Sequence, residues 1–335
     1  VRIENRGLTQ QGRATMKLMK YCISPSKLAW LRKELGKDAN GLIAAMDAAG
    51  TAYLDKLNAS TEALEGEPLE GEVVAETDTP TNAKTQTQTQ TQRQAQRQLA
   101  YLWLQQRIAL ATRIDDADMA ALAAFEFQQI HIEVVQPSEF DAVVARLLAE
   151  PVLGFDTETR ASFERGVQHP LSLIQIATAD ACYLFQHAIL GEQFTQLKTV
   201  LEDENILKVG VGLRSDAQAL KRQWGINVAS KLDLNWALAQ LGAEKEMGTR
   251  QLVATLLGTR IDKPKKITLS NWQHVPLSGA QIDYAAADAL AALKCFNALI
   301  TQLTPFYHAS SATKAAPLIP SSLAAPLAKY FKDVE

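Results

Sequence analysis

A chain of 335 residues with 47% hydrophobic content is longer than one average domain and rich enough in apolar residues to build a real core. Its formal net charge of -3 gives no overall basic field, so any site for a polyanion has to be a local patch. Cys22, Cys182 and Cys295 lie far apart without CxxC spacing, which argues against a disulfide framework and a thiolate zinc site and fits a reducing, cytoplasmic setting. No apolar run approaches the roughly 18 residues of a membrane span, so no membrane partner is expected.

The N-terminal stretch is polar and basic with no apolar signal core. It starts at Val1 with its first methionine at Met16, which reads as a fragment or an alternative start rather than a targeting peptide. Residues 1–58 read as short helices: "SPSKLAWLRKELG" opens at Ser24-Pro25 and closes at Gly36. Between Glu62 and Asp78 there are seven acidic residues and no basic one, followed by "TQTQTQTQRQAQRQ". Such a tract cannot bury enough apolar surface to fold alone, so 59–95 is expected to be a disordered linker. The apolar stripe of "QLAYLWLQQRIALATRI" predicts a helical arm within 96–127. That arm either packs on the domain beyond it or serves as a separate helix for a protein partner.

From about 128 to 303, strand and helix patterns alternate, the pattern of an α/β domain. "IHIEVV" reads as a strand, "PSEFDAVVARLLAE" as a helix capped by Ser138, and "PVLGFDTET" as a strand. "LSLIQIATADACYLF" reads as two strands turning at Ala179-Asp180, and "GEQFTQLKTVLED" as a helix. "ILKVGVGL" is strand-like, with Gly210 and Gly212 read as close packing in that strand. "SDAQALKRQWG", "TRQLVATLLG" and "SGAQIDYAAADALAALKCFNALITQL" read as helices. A hairpin and then strand–helix alternation predict a mixed sheet flanked by helices. Residues 304–335, rich in Ala, Pro and Ser, are expected to form a flexible tail.

Within "VLGFDTETR" an apolar run ends in Asp156-Thr157-Glu158. Strand residues i and i+2 share a face, so two carboxylates project to the same side and repel one another. Taken alone, the pair also fits an exposed strand end. Asp216 comes after the next core strand, just inside a helix start, where an acid ordinarily complements the helix dipole. Tyr284 and Asp288 are four apart on one helix face, with Ala285, Ala286 and Ala287 between them keeping the helix slim. Four acids from one strand and two helices, far apart in sequence, call for a cation, and hard carboxylate oxygens suit Mg²⁺ or Mn²⁺. Two such ions about 3.5–4 Å apart support phosphodiester hydrolysis.

"FDTET", "VGVGLRSD" and "YAAAD" resemble the three motifs of the DEDDy class of 3′→5′ exonucleases, and the resemblance covers about 128–300. "KKITLSNWQHVPLSGAQIDYAAADA" is similar to the Werner-syndrome-type exonuclease domain and its bacterial relatives, more than to ribonuclease D proper. The resemblance implies a ribonuclease-H-like, mixed sheet of five to six strands and release of nucleoside 5′-monophosphates from single-stranded 3′ ends by two Mg²⁺ or Mn²⁺ ions. It assigns Asp156, Glu158 and Asp288 to the metal that carries the attacking water. Asp156 would bridge to the second metal, Asp216 would act mainly through that metal's waters, and Tyr284 would orient the water. Histidine-type relatives carry a His five residues before the last acid; here that position is Asp283, which favours the tyrosine subclass.

Arg250, Arg260, Lys263, Lys265 and Lys266 against Asp262 make a local basic patch just before the Tyr284 helix. It reads either as a solvated loop or as a phosphate clamp, with Lys263, Lys265 and Lys266 as its contacts. Trp272 is either a core residue or a base-stacking platform. Arg160, Phe163 and Arg165 come directly after the Asp156 strand, where Phe163 can wedge against a terminal base while an arginine meets phosphate. The alternative is a catalytically idle nucleic-acid-binding or scaffolding protein on a nuclease fold.

Overall fold

A computed structural model describes residues 114–331 apart from 115, 128, 163, 165–168, 242–245, 313–318 and 320, together with a few isolated helical positions between 29 and 48. The expected linker at 59–95, most of the expected helical arm, Phe163 and Arg165 lie outside the described residues. The chain divides into two compact units. One comprises Arg113–Gln240 and Lys245–Ile300, and the other includes Thr301–Glu335.

The first unit opens with α1 (Asp116–Ala121) and β1 (Ala123–Ala124). A mixed sheet comes next, built from β2 (His131–Val134), β3 (Val152–Thr159), β4 (Leu171–Ala177), β5 (Ala181–Gln186), β6 (Leu207–Gly210) and β7 (Lys231–Asp233). Its spatial order is β2-β5-β4-β3-β6-β7. Strands β3, β4 and β5 form an antiparallel meander, while β6 runs parallel to β3, β7 parallel to β6, and β2 parallel to β5. The six-stranded mixed sheet flanked by helices is the architecture expected.

The two faces of β3 explain the layering. Leu153 and Phe155 point into a core shared with Ile174 and Ile176 of β4, with Phe140, Val143 and Leu147 of α2 (Phe140–Leu147), and with Leu213 and Leu220 of α3 (Leu213–Trp224). Gly154, Asp156 and Glu158 take the other face by strand alternation. Further along the chain come α4 (Leu234–Gln240), α5 (Thr249–Leu257), β8 (Thr259–Arg260), α6 (Lys265–Thr268) and α7 (Gly279–Ala312). Helix α7 lies against β3 at Gly154, where an added Cβ would stand 2.2 Å from the Ala289 carbonyl oxygen. The buried Ala285, Ala286, Ala287 and Ala289 give α7 the slim surface such an approach needs.

Several expectations need correction. At the end of the expected helical arm, residues 123–124 are strand rather than helix: β1 pairs in parallel with β8, inside the same compact unit as the sheet, so this end packs on the domain beyond it. That pairing is tertiary, and the Ala123-Ala124 sequence carries no local strand signal. The "GEQFTQLKTVLED" helix is a 3-10 segment, Gly191–Leu197, continued by a short α-helix, Lys198–Leu201. Gly212 is not a strand residue; it holds φ 76° at the N-cap of α3, a left-handed conformation that glycine adopts without strain. Gly210 is a close-packing residue, since a Cβ there would meet Leu213 Cδ2 at 2.2 Å and the Phe155 carbonyl oxygen at 2.5 Å. The expected flexible tail holds a helix, α8 (Ser321–Leu327), with Ile319, Leu323, Leu327 and Phe331 buried at four-residue spacing. Among the described residues no helix is long and apolar enough to cross a membrane.

Candidate active site

Three carboxylates meet where the sheet face of β3 reaches α7. Gly154 admits the helix, and two and four residues further along the same face stand Asp156 and Glu158. Asp288 comes from α7, one residue before the Ala289 carbonyl that rests on Gly154. Asp156, Glu158 and Asp288 each offer an oxygen within 4.8 Å of the others. Asp156 and Glu158 are half-buried and Asp288 is buried.

Asp216 stands outside that triad, in the first turn of α3. The Thr157 hydroxyl, on the opposite face of β3 from the paired acids, donates to Asp216 Oδ1 at 2.5 Å. The start of α3 is fixed by Asp233 at the end of β7, whose Oδ2 accepts from the Leu213 backbone N–H at 2.9 Å. The other oxygen of Asp233 accepts from the Asn235 N–H and caps the turn into α4.

A lysine completes the cluster. Lys263 Nζ donates to Asp288 Oδ2 at 2.7 Å and lies 4.8 Å from the centroid of the Tyr284 ring. Asp288 Oδ1 is buried with no hydrogen-bond partner of ordinary geometry, although the Thr249 hydroxyl is near enough to bias this carboxyl toward its charged form. The Tyr284 hydroxyl shares a hydrogen bond with the Thr268 hydroxyl of α6 at 3.0 Å. Gln175, directly opposite Asp156 in the β3–β4 register, is fully buried with neither amide atom paired.

Burial, with crowding added to it, shifts the protonation of these groups. Burial drives the Asp156 carboxyl well above the ordinary range; Asp288, Glu158 and Asp216 add repulsion, and Lys263 opposes it. Glu158 is pushed up to about 8, chiefly by burial, with Asp288 adding and Lys263 opposing. Burial also raises Asp288, against the pull of Lys263. Asp216 is raised by burial against the pull of the Thr157 hydroxyl and its own backbone N–H. Burial works against the charge of Lys263, yet the Asp288 carboxylate holds its ammonium above the usual lysine range. Without an added cation, Glu158 therefore favours its protonated form at neutral pH, and the other three acids shift in the same direction. The hard, all-oxygen donor set and the partnerless Asp288 Oδ1 fit a divalent ion such as Mg²⁺ or Mn²⁺.

The expected substrate contacts separate. Lys265, Lys266 and Arg160 are exposed. Lys263 faces the acids rather than solvent, and Arg260 donates to the carbonyl oxygens of Ala120 and Leu122. Trp272 is 0% exposed, so it has no free ring face and is not a base-stacking platform. Its indole packs on Tyr284 at 5.8 Å between ring centroids, and Gln186 Nε2 donates to its carbonyl oxygen. Thr157, Thr268 and Asp233 are not visible as site residues in the sequence. Of these only Asp233 carries a signal, as an Asp at a strand end directly before a helical stretch.

Known proteins share this part of the chain. The profile of the 3′-5′ exonuclease family matches residues 132–304, more than half of the chain. The chain is 36% identical over 155 residues to exonuclease 3′-5′ domain-containing protein 2 of Drosophila melanogaster, covering 46% of this chain and 26% of that protein. It is 33% identical over 156 residues to the bifunctional 3′-5′ exonuclease/ATP-dependent helicase WRN of Mus musculus, covering 46% and 11% respectively. Ribonuclease D of Gluconacetobacter diazotrophicus is 31% identical over 170 residues, covering 51% of this chain and 42% of the relative. The match thus spans less than half the length of each of these three relatives. Among solved structures, the EXO domain of Aedes aegypti Nibbler aligns with a TM-score of 0.48 at 22% identity, covering 57% of this chain and 98% of that one. The matched span runs from β2 through the acid-bearing part of α7, and on it the chain belongs to the 3′-5′ exonuclease family.

Proposed function

We propose that the chain hydrolyses phosphodiester bonds at single-stranded 3′ ends of nucleic acid, releasing nucleoside 5′-monophosphates with the help of two Mg²⁺ or Mn²⁺ ions. The observation that carries this reading is the meeting of Asp156, Glu158 and Asp288 within 4.8 Å, with one buried oxygen of Asp288 left without a partner. Asp156, Glu158 and Asp288 would hold one ion, and Asp216, near enough to Asp156 to add to its repulsion, would serve the second. Bound divalent ions supply Lewis acidity to the phosphoryl group and acidity to water.

The chain's own residues do the rest. Tyr284, four residues before Asp288 on α7, has its hydroxyl held by Thr268 and would orient the attacking water. Burial keeps that hydroxyl protonated, against the pull of the Thr268 hydrogen bond, so it acts as a donor near neutral pH. The exposed Lys265, Lys266 and Arg160 would contact phosphates along the entering strand. Phe163 and Arg165 are proposed to meet the terminal nucleotide. Retention of Asp156, Glu158, Asp216, Tyr284 and Asp288 counts against an idle scaffold. The test uses the full chain with 5′-labelled single-stranded DNA and RNA in Mg²⁺, Mn²⁺ or EDTA. A ladder shortening from the 3′ end and abolished by EDTA is expected, and cleavage of neither polymer overturns the reading.

A further inference from the structure

The geometry points to Lys263 as a positioning residue of the metal site, held in place by the segment that precedes the sheet. The inference rests on the metal-dependent reading above and adds a residue pair to it. Lys263 Nζ holds Asp288 Oδ2 at 2.7 Å, while Oδ1 of the same carboxylate is buried with no hydrogen bond of ordinary geometry, the Thr249 hydroxyl lying near this carboxyl. One oxygen is thus committed to the protein and the other is left for the cation. A carboxylate fixed through one oxygen cannot rotate freely, so its free oxygen keeps one direction. Partners of this kind around a metal ligand set its orientation and affinity.

Lys263 is itself located from both sides. Three residues earlier Arg260 ends β8, which pairs in parallel with β1 through Ala123↔Thr259 and Ala124↔Arg260. The Arg260 guanidinium donates to the Leu122 carbonyl at 2.7 Å and the Ala120 carbonyl at 3.4 Å, and the Phe125 N–H donates back to the Arg260 carbonyl at 2.8 Å. Lys294 of α7 donates to the Glu126 carbonyl at 3.0 Å, which ties the same segment to the helix bearing Asp288. On the other side, α6 starts two residues after Lys263 and is linked to Tyr284 by Thr268. Residues 116–126 therefore brace the active site, and Arg260 is their grip on it rather than a phosphate contact.

The test titrates Mn²⁺ into the full chain by calorimetry, for wild type, Lys263→Met, Lys263→Arg and Arg260→Met, with circular dichroism to check folding. Loss of such a supporting partner typically costs 10–100-fold in metal affinity, and we expect Lys263→Met to weaken the tighter Mn²⁺ site by about 10-fold or more. Lys263→Arg should recover part of the loss, because the charge and a donor remain. Arg260→Met should weaken Mn²⁺ in the same direction by a smaller factor, although it leaves every acid and Lys263 in place. A folded Lys263→Met that binds Mn²⁺ as well as wild type, or more tightly, overturns the inference; tighter binding would make the lysine a competitor of the metal. If Lys263→Met does not fold, Arg260→Met decides, and unchanged affinity there overturns the bracing role. Absence of Mn²⁺ binding by wild type would instead remove the metal reading beneath it.

Discussion

Replacing Gly154 with alanine tests how the acids are brought together. The new methyl group would stand 2.2 Å from the Ala289 carbonyl oxygen and 3.0 Å from Leu293 Cβ, where ordinary contact begins near 3.4 Å. The neighbour is helix backbone, so no side chain can swing away; α7 has to retreat from β3 by about 1 Å. Asp288 sits on α7 next to the point of contact and has to move with it, while Asp156 and Glu158 stay on the strand. Overpacking of this kind costs about 1–3 kcal/mol of stability. A misplacement of about 1 Å in a reacting constellation can cost on the order of 10²-fold in rate. We therefore expect Gly154→Ala to fold with a lower melting temperature in EDTA, to bind Mn²⁺ more weakly, and to lose about 10²-fold in turnover of a labelled single strand. Wild-type turnover together with an unchanged melting temperature would refute the close approach and, with it, this account of how Asp288 reaches the strand.

Tyr284→Phe keeps the ring that packs on Trp272 and removes one hydrogen bond of the exposed Thr268 hydroxyl, which still donates to the Pro264 carbonyl, so stability should barely change. Its kcat should fall by about 10²–10³ with KM moving less, because one preorganised donor is lost; wild-type kcat would make Tyr284 a core aromatic only. Glu158 is pushed up to about 8 in the metal-free protein, above its ordinary 4.5, and Asp156 and Asp288 shift in the same direction. The folded state then binds more protons than the unfolded state between those values, so stability in EDTA should fall as pH rises from about 5 through 8. Saturating Mg²⁺ should flatten that slope, and equal slopes with and without metal in thermal melts would contradict it. Asp156→Asn removes an acid that burial and its acidic neighbours both disfavour and should raise the melting temperature in EDTA at pH 8 while abolishing the 3′ ladder; a lower melting temperature there would show that this buried acid is not what burdens the metal-free site.

The parts of this molecule that are legible in sequence are those whose signal is local. Strand β3 announces itself by an apolar run, and the period of two puts Asp156 and Glu158 on one face without any knowledge of the fold. The spacing of Tyr284 and Asp288 does the same for α7. Strand β7 is three residues long, too short to show alternation, and β1 is two alanines whose strand character comes only from Thr259 and Arg260 beside them. Helix α8 is hidden by an Ala-, Pro- and Ser-rich composition and by Pro326 inside it, although Ile319, Leu323, Leu327 and Phe331 carry the helical stripe. The basic patch fails as a unit for a different reason. Counting charges treats Arg260, Lys263, Lys265 and Lys266 alike, whereas tertiary contacts send the first to a backbone clamp, the second to Asp288 and the last two to solvent. Trp272 shows the same limit, since side-chain exposure depends on what packs over it.

The β1–β8 ribbon also bears on the order in which the unit forms. The β4–β5 hairpin closes over the short Thr178–Asp180 turn, while Ala123 has to find Thr259 across the whole intervening sheet. Contacts of such long sequence separation are the slowest to form, because the loop must close before anything rewards it. The ribbon is then a late event in folding, and the placement of Lys263 beside Asp288 comes with it. A chain captured early in refolding would carry its sheet and its paired strand acids without a finished cation site. Divalent ions added to refolding protein should therefore leave the folding rate nearly unchanged and act instead by slowing unfolding, as expected for interactions that form after the transition state.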